Sequence, residues 1–284
     1  MHYEVVNKID VEHPSWSSQK KRLEATGGEV ITLAPNPTLR DQLNETQVTG
    51  FNVLDRVTGR TIDFDPNTYL YFNQLPTVTG AEIFMNSDFS VDVIADGNVI
   101  GNVILLPKLR RHVQQVDYLY ENGDRDFTEV FASDGKKFSN EIYTNRQLQR
   151  IDFYDDQERP VVRFYYFGGR LNYITVENFK TMRITATYIS MADFLATEMK
   201  KIVKKQDTVG INFMGNELWS LAKTKSHNTL YLEEDPFTPD GRIKQNLADI
   251  LADNIKFVQT VRMPAPYLEK LRVAGLPTKK IVTD

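Results

Sequence analysis

Cysteine is absent from the 284 residues, which excludes disulfides, thiol catalysis and cysteine-ligated zinc. The four histidines, His2, His13, His112 and His227, have no H-x-x-x-H spacing, so no metal site is expected. Neither G-x-G-x-x-G nor G-x-x-x-x-G-K-[ST] occurs, so the usual phosphate cradles are missing. A G-x-S-x-G serine elbow is also missing. No apolar run approaches the roughly 18 residues of a membrane-spanning helix. The start, M-H-Y-E-V-V-N-K-I-D, lacks the basic region and long apolar core of a secretory signal. Net charge is −4, which offers no electrostatic footprint for nucleic acid. A cytoplasmic protein with no cofactor, no metal and no nucleic-acid partner is expected.

What is present is ordinary in bulk: 41% hydrophobic and 25% charged residues suit one large globular domain or two modest ones. The distinctive stretch is a tyrosine-rich series of strand-and-turn segments from about Arg110 to Ile174. Each segment is rich in β-branched and aromatic residues and ends in a turn signal. The turns fall at Glu121–Asp124, Ser133–Gly135, Tyr143–Asn145, Asp155–Gln157 and Gly168-Gly169. Asn-Gly and Asp-Gly supply the positive φ of tight hairpins. This pattern predicts an up-and-down antiparallel meander of five or six strands. Shorter alternating runs at Phe89–Ile94 and Val99–Leu105 lead into it. Val116-Asp117-Tyr118 recurs as Ile151-Asp152-Phe153, but two copies are too few for a repeat protein.

The flanks read as α/β. Glu4–Val6 and Val30–Leu33 suit strands, with a helix over Ser17–Ala25 stopped by Gly27-Gly28. A short helical stretch is expected at Leu39–Leu43, and Tyr69–Phe72 reads as a buried strand. After the meander, Thr181–Ile189 alternates like a strand, and Ser190 opens a helix whose apolar residues keep helical spacing. Strands at Val209–Phe213, Thr229–Leu232 and Ile255–Val261 then alternate with helices at Asn216–Ala222, Gly241–Ala252 and Pro264–Val273. Gly275 stops the last of these, and Ile281-Val282 could begin one more strand. Such alternation predicts a parallel, Rossmann-like sheet. The expected fold is α/β: a Rossmann-like domain over 1–75 plus 180–284, interrupted by an antiparallel β-meander domain over 76–179.

Two sets of site residues stand out. The first is Gly215, Asn216 and Glu217, where a buried strand runs into a helix. Ligands in open α/β sheets bind at the carboxyl ends of strands, so these three are candidates for ligand or acceptor contact. The alternative is a plain tight turn and N-cap. The second set is aromatic: Tyr118, Tyr120, Phe127, Phe131, Tyr165 and Phe167 in the meander. A thin meander has few helices to cover both faces, which makes these rings candidates for partner binding. The alternative is that they pack their own sheet. No catalytic residue is assigned, because sequence alone cannot pair the abundant carboxylates across space.

The stretch Tyr69–Pro76 (Y-L-Y-F-N-Q-L-P), followed by Leu109–Leu119 (L-R-R-H-V-Q-Q-V-D-Y-L), resembles a known family. That family is the non-catalytic stabilising subunit, GtfB-type, of the accessory-Sec O-linked N-acetylglucosaminyltransferase. Arg183–Thr197 (R-I-T-A-T-Y-I-S-M-A-D-F-L-A-T) is similar to the start of that family's helix after the meander. The resemblance implies the first Rossmann half of a GT-B protein carrying a β-meander add-on. It implies a chaperone-like subunit that pairs with a catalytic glycosyltransferase and holds a serine-rich repeat adhesin as acceptor. It also implies work in the cytoplasm, with at most peripheral attachment to the inner face of the membrane. Family members continue into a second Rossmann half that makes most donor contacts, so this stretch alone is expected to bind nucleotide sugar poorly. The alternative is a catalytic GT-B glycosyltransferase using a UDP-sugar, which would show a glycine-rich N-terminal loop and a C-terminal E-x7-E motif.

Overall fold

The computed structural model describes residues 1–107 and 109–283. The chain opens with β1 (His2–Val6), α1 (Pro14–Thr26), β2 (Glu29–Thr32), α2 (Leu39–Thr46), β3 (Gly50–Asn52) and α3 (Val53–Thr58). Ten strands follow: β4 (Glu82–Met85), β5 (Val91–Ala95), β6 (Asn98–Leu106), β7 (Leu109–Leu119), β8 (Arg125–Phe131), β9 (Lys137–Thr144), β10 (Gln147–Tyr154), β11 (Pro160–Phe167), β12 (Arg170–Glu177) and β13 (Ile184–Tyr188). The remainder alternates: α4 (Met191–Ile202), β14 (Thr208–Ile211), α5 (Asn216–Ser220), β15 (His227–Tyr231), α6 (Gln245–Leu251), β16 (Thr260–Met263), α7 (Ala265–Val273) and β17 (Ile281–Thr283). These elements fold as two compact units, one of Met1–Pro35, Leu43–Val53 and Ala192–Asp284, the other of Asn36–Gln42 and Leu54–Met191.

The first unit holds a seven-stranded parallel sheet in the order β17-β16-β15-β14-β1-β2-β3. Its helices end where their sequence stops them. Pro14 starts α1, the His13 ring accepts the Ser15 N–H, and Gly27 closes the helix at φ 59° with its N–H on Leu23 O. Val5, Val30, Ile211, Leu230 and Val261 are buried at the centre of the sheet. Chain order reverses between β1 and β14: β2 and β3 add on one side, β15 to β17 on the other. That reversal is the topological switch point. Residues expected to begin a strand at Ile255 form a turn instead, because Ile255 N–H bonds back to Asp249 O, and β16 starts only at Thr260.

The second unit is one ten-stranded antiparallel meander in sequence order from β4 to β13. The expected five or six strands become ten because the short runs before Arg110 and the strand after Thr181 pair into the same sheet. Its hairpins use the positive φ that their turn residues provide: Gly123 at 81°, Gly135 at 79°, and Asn145 and Arg146 at 51° and 64°. Tyr69–Phe72 is not a strand. Tyr71 makes an isolated bridge to His112, and Phe72–Gln74 is a 3-10 turn. Leu70, Phe72 and Leu75 from this segment pack on Val93, Val116 and Phe131 of the sheet. Two buried arginines pin the chain nearby: Arg40 donates to Thr68 O at 2.7 Å and to Ser133 O, and Arg60 donates to Asp134 Oδ1 at 2.6 Å.

Register shows that the two halves of the meander bury opposite faces. Directly paired residues share a face. Val91, Val103 and Val116 pair in one row and belong to the apolar core of the first strands. The same row continues as Glu129, Asn140, Asp152, Arg163 and Thr175. There it is ionic: Arg150 Nε lies 2.9 Å from Asp152 Oδ1, and Arg163 Nε lies 3.3 Å from Glu177 Oε1. In these later strands the opposite face is the apolar one. Phe153 pairs with Val162, and Phe164 with Ile174, all four buried.

Candidate functional site

The carboxyl ends of β1 and β14 meet at the switch point, and the residues expected there come together. Glu217, buried at the start of α5, accepts the Asn7 N–H through Oε1 at 2.8 Å. Asn216 Nδ2 donates to Asn7 Oδ1 at 3.2 Å. Gly215 precedes α5 at φ −93°, and a Cβ there would meet only Glu217 Oε2, at 3.4 Å. Asn216 and Glu217 therefore tie α5 to Asn7 at the end of β1, and Gly215 provides the turn before them. Helix α5 is only five residues long, so it presents little of a helix dipole.

Beneath this tie lies an ionic cluster for which sequence reading offered no assignment. Glu4 sits at the centre of the parallel sheet, 0% exposed, where an apolar residue would be usual. Arg22, from α1, forks it, with Nε to Oε1 at 2.7 Å and Nη2 to Oε2 at 2.9 Å. Arg22 Nη2 also donates to Asn212 Oδ1 at 2.6 Å, just past β14. The His2 ring lies between Glu4 Oε1 and Thr208 Oγ1, 2.9 Å from each. Tyr231 stacks beneath Arg22, its ring centre 3.7 Å from the guanidinium carbon. The one signal in the sequence was a glutamate inside the otherwise apolar strand Y-E-V-V.

The connection from β1 to α1 runs from Asn7 to His13. It contains Asp10 and Glu12 and no glycine. Phosphate cradles bring backbone N–H groups up to the anion through glycines. This loop has neither that freedom nor the favourable charge. His13 is occupied in capping α1 and in an edge contact with Phe213 at 5.2 Å. Among the described residues no group of three His, Asp or Glu side chains could hold a metal ion.

The six meander aromatics divide by burial. Tyr118 and Phe131 are buried in the core of the first strands, and burial pushes the Tyr118 hydroxyl up to about 12. Phe127 is half-buried and stacks on Tyr118, with ring centres 4.5 Å apart. Tyr165 is half-buried beside Tyr173 at 6.2 Å. Only Tyr120, 46% exposed, and Phe167, 82% exposed, present open ring surface. Phe167 owes its exposure to its place at the Gly168-Gly169 hairpin.

No protein-family model matches the sequence, and no curated protein does. Solved structures do match. A chain of the Glycosylation Associate Protein (Gap123) complex from Streptococcus agalactiae superposes with a TM-score of 0.70 at 16% identity, covering 100% of this chain and 60% of that one. Accessory secretory protein 1, 2 and 3 of Streptococcus pneumoniae gives 0.73 at 15% identity, with 100% and 61% covered. The pneumococcal O-GlcNAc transferase GtfA, in complex with UDP and GlcNAc, gives 0.76 at 13% identity, with 99% and 59% covered. The chain thus spans about three fifths of the length of these proteins. At such identities the likeness establishes the fold: a GT-B-like Rossmann half joined to an antiparallel β-meander, the class that the sequence predicts.

Proposed function

We propose that this chain belongs to a non-catalytic, GtfB-type accessory subunit of a protein O-glycosyltransferase. In this reading the Rossmann-like unit and the meander unit together stabilise a catalytic partner in a hetero-oligomer. They also hold a serine-rich repeat acceptor in the cytoplasm, at most peripherally on the membrane. Gly215, Asn216 and Glu217 contact the acceptor, and Tyr120 and Phe167 meet the partner. The observation that carries the reading is the switch point, where the Asn7–His13 loop has two acids and no glycine, and Glu217 holds the Asn7 N–H at 2.8 Å. A nucleotide diphosphate finds no cradle there. Likeness to complexes described as glycosylation-associated and accessory secretory supports the same assignment. Among the described residues no helix is long and apolar enough to cross a membrane.

A second reading, a catalytic GT-B glycosyltransferase, is favoured by the TM-score of 0.76 to a transferase crystallised with UDP and GlcNAc. One assay separates the two. Labelled UDP-N-acetylglucosamine and a serine-rich acceptor are incubated with this chain, with a candidate catalytic partner, and with both. Transfer that needs the mixture, or is far stronger in it, supports the accessory role. Transfer by this chain alone overturns it.

A further inference from the structure

At one end of the meander, the 3-10 turn at Phe72–Gln74, the β4–β5 hairpin and the start of β7 enclose a cleft of about 700 Å³. A second recess of about 460 Å³ shares Tyr71, Arg110 and Arg111 with it. These volumes are of ligand-pocket size. No acidic residue lines either recess. The pair lies within one compact unit and owes nothing to the switch point.

Several arginines of the meander are paired with carboxylates: Arg125 with Asp117 at 2.9 Å, Arg159 with Asp155 at 2.7 Å and Arg163 with Glu177 at 3.3 Å. Arg170 and Arg183 are exposed without such a partner among the described residues, but neither lines a cleft with a second arginine. Arg110 and Arg111 are exposed and have no carboxylate partner among the described residues. Both arginines line the cleft with no carboxylate beside them, so its wall is cationic, and each guanidinium can take phosphate or carboxylate through its own fork of N–H donors. Opposite them, Phe89 is 68% exposed and held at φ 68°, a conformation that a bulky side chain disfavours. The turn that holds it is closed by Phe89 N–H to Asn86 O at 3.0 Å and Asn86 N–H to Ser90 O at 2.8 Å. Positive φ is the geometry of this tight hairpin turn, and it leaves the Phe89 ring uncovered on the wall of the cationic cleft. The carboxamides of Asn73 and Gln74 line the same cleft, are exposed, and make no internal hydrogen bond among the described residues.

We propose that this cleft binds an anionic sugar, with its phosphate or carboxylate on Arg110 and Arg111. A sugar ring lies against Phe89 and Tyr71, and its hydroxyls meet the Asn73 and Gln74 amides, which both donate and accept. The second recess gives room for more than one ring. Nucleic acid is disfavoured, because a polyphosphate backbone needs many cations and the chain carries a net charge of −4. The inference is independent of the glycosyltransferase reading and stands or falls without it.

The test is calorimetric titration of the full chain with glucose 6-phosphate, an oligogalacturonate, glucose, inorganic phosphate and a single-stranded oligonucleotide. The phosphorylated and carboxylated arms identify which anion is preferred. Saturable binding of at least one anionic sugar is expected, weakening with salt and tighter than glucose or phosphate by about tenfold, the ring and the anion each adding. The double variant Arg110→Ala/Arg111→Ala should lose about tenfold or more of that affinity. Phe89→Ala should weaken the sugar and leave inorganic phosphate unchanged. Both sites are exposed, and thermal unfolding checks the fold; Arg110→Gln and Arg111→Gln serve if the alanine variant is unstable. Absence of binding by both anionic sugars, affinity no better than phosphate alone, preference for the oligonucleotide, or full affinity in the arginine variants would each overturn the proposal.

Discussion

Gly210 faces the carboxylate of Glu4 on the neighbouring strand so closely that a Cβ at position 210 would stand 2.5 Å from Glu4 Oε1. The carboxylate has little freedom to yield, because Arg22 holds both its oxygens and His2 lies 2.9 Å from one of them. A glycine in the middle of β14 is therefore the steric counterpart of a buried charge in the middle of β1. Gly210→Ala is expected to destabilise the protein by about 1–3 kcal/mol through overpacking. Arg22→Met should cost about 3–5 kcal/mol, since it strands a buried carboxylate. Urea unfolding reads both. An unchanged midpoint for Gly210→Ala would show that the carboxylate moves aside freely.

Asp55 supplies a pH dependence. Burial pushes its carboxyl from 3.8 up to about 6, against the pull of Arg60, whose Nη1 lies 3.7 Å from Oδ1. The folded state therefore binds the proton more tightly than the unfolded chain. Stability from this group is full below about pH 4 and is lost as pH rises through about 6. The shift of about two units corresponds to roughly 3 kcal/mol. Asp55→Asn should match wild type near pH 4 and exceed it by up to about 3 kcal/mol at pH 7.5. A difference between the two proteins that stays constant across that range would contradict the assignment.

The aromatics of β11 predict opposite outcomes three residues apart. Phe164 is fully buried, with its ring 4.9 Å from that of Phe153, so Phe164→Ala should cost about 3–5 kcal/mol. Phe167 is almost wholly exposed, so Phe167→Ala should stay within about 0.5 kcal/mol of wild type. Thermal unfolding tests stability. Co-purification with a candidate catalytic partner tests binding, which Phe167→Ala is expected to weaken. Unchanged capture would remove Phe167 from the proposed interface.

Glu217→Ala removes the acceptor of the Asn7 N–H and should cost about 1–3 kcal/mol. Glu217→Gln keeps an acceptor oxygen and should cost less. In the mixed transfer assay, a loss of stimulation by Glu217→Gln at unchanged melting temperature would indicate acceptor contact. Full stimulation would leave Glu217 with a purely structural role.

Much of the fold was legible because its signals are local. Gly27 and Gly275 stop α1 and α7 at positive φ, and several hairpin turns fall at Asn-Gly, Asp-Gly and Gly-Gly steps. Tyr69–Phe72 misled because an apolar run of four has no period of its own. Its rings are instead held by tertiary neighbours: Tyr69 stacks on His112 at 3.9 Å, and Phe72 packs on the meander core. The run from Ile255 to Gln259 misled in the same way, since turn contacts with Asp249 outweighed its β propensity.

The candidate site was legible in position but not in content. A strand-to-helix junction at Gly215 marks a crevice in any doubly wound sheet, and Gly215, Asn216 and Glu217 sit at the switch point. What they touch depends on Asn7, more than two hundred positions away, and on the register that pairs β1 with β14. The same holds for the meander rings: Tyr118 and Tyr120 were equal candidates by residue type, and only the packing of the sheet buries the first and leaves the second 46% exposed.

The amino-acid sequence by itself determined the turns, the helix ends, the alternation of strand and helix and the absence of a glycine cradle. Each is set by the φ preferences and side-chain period of a few adjacent residues. Only the tertiary structure decided which face each half of the meander buries and that Glu4 is neutralised by Arg22. It also decided that Arg110 and Arg111, with no carboxylate partner among the described residues, line one cleft with an exposed Phe89. Those outcomes rest on strand register and on contacts between residues far apart in sequence, where a shift of one residue would exchange the two faces of a strand.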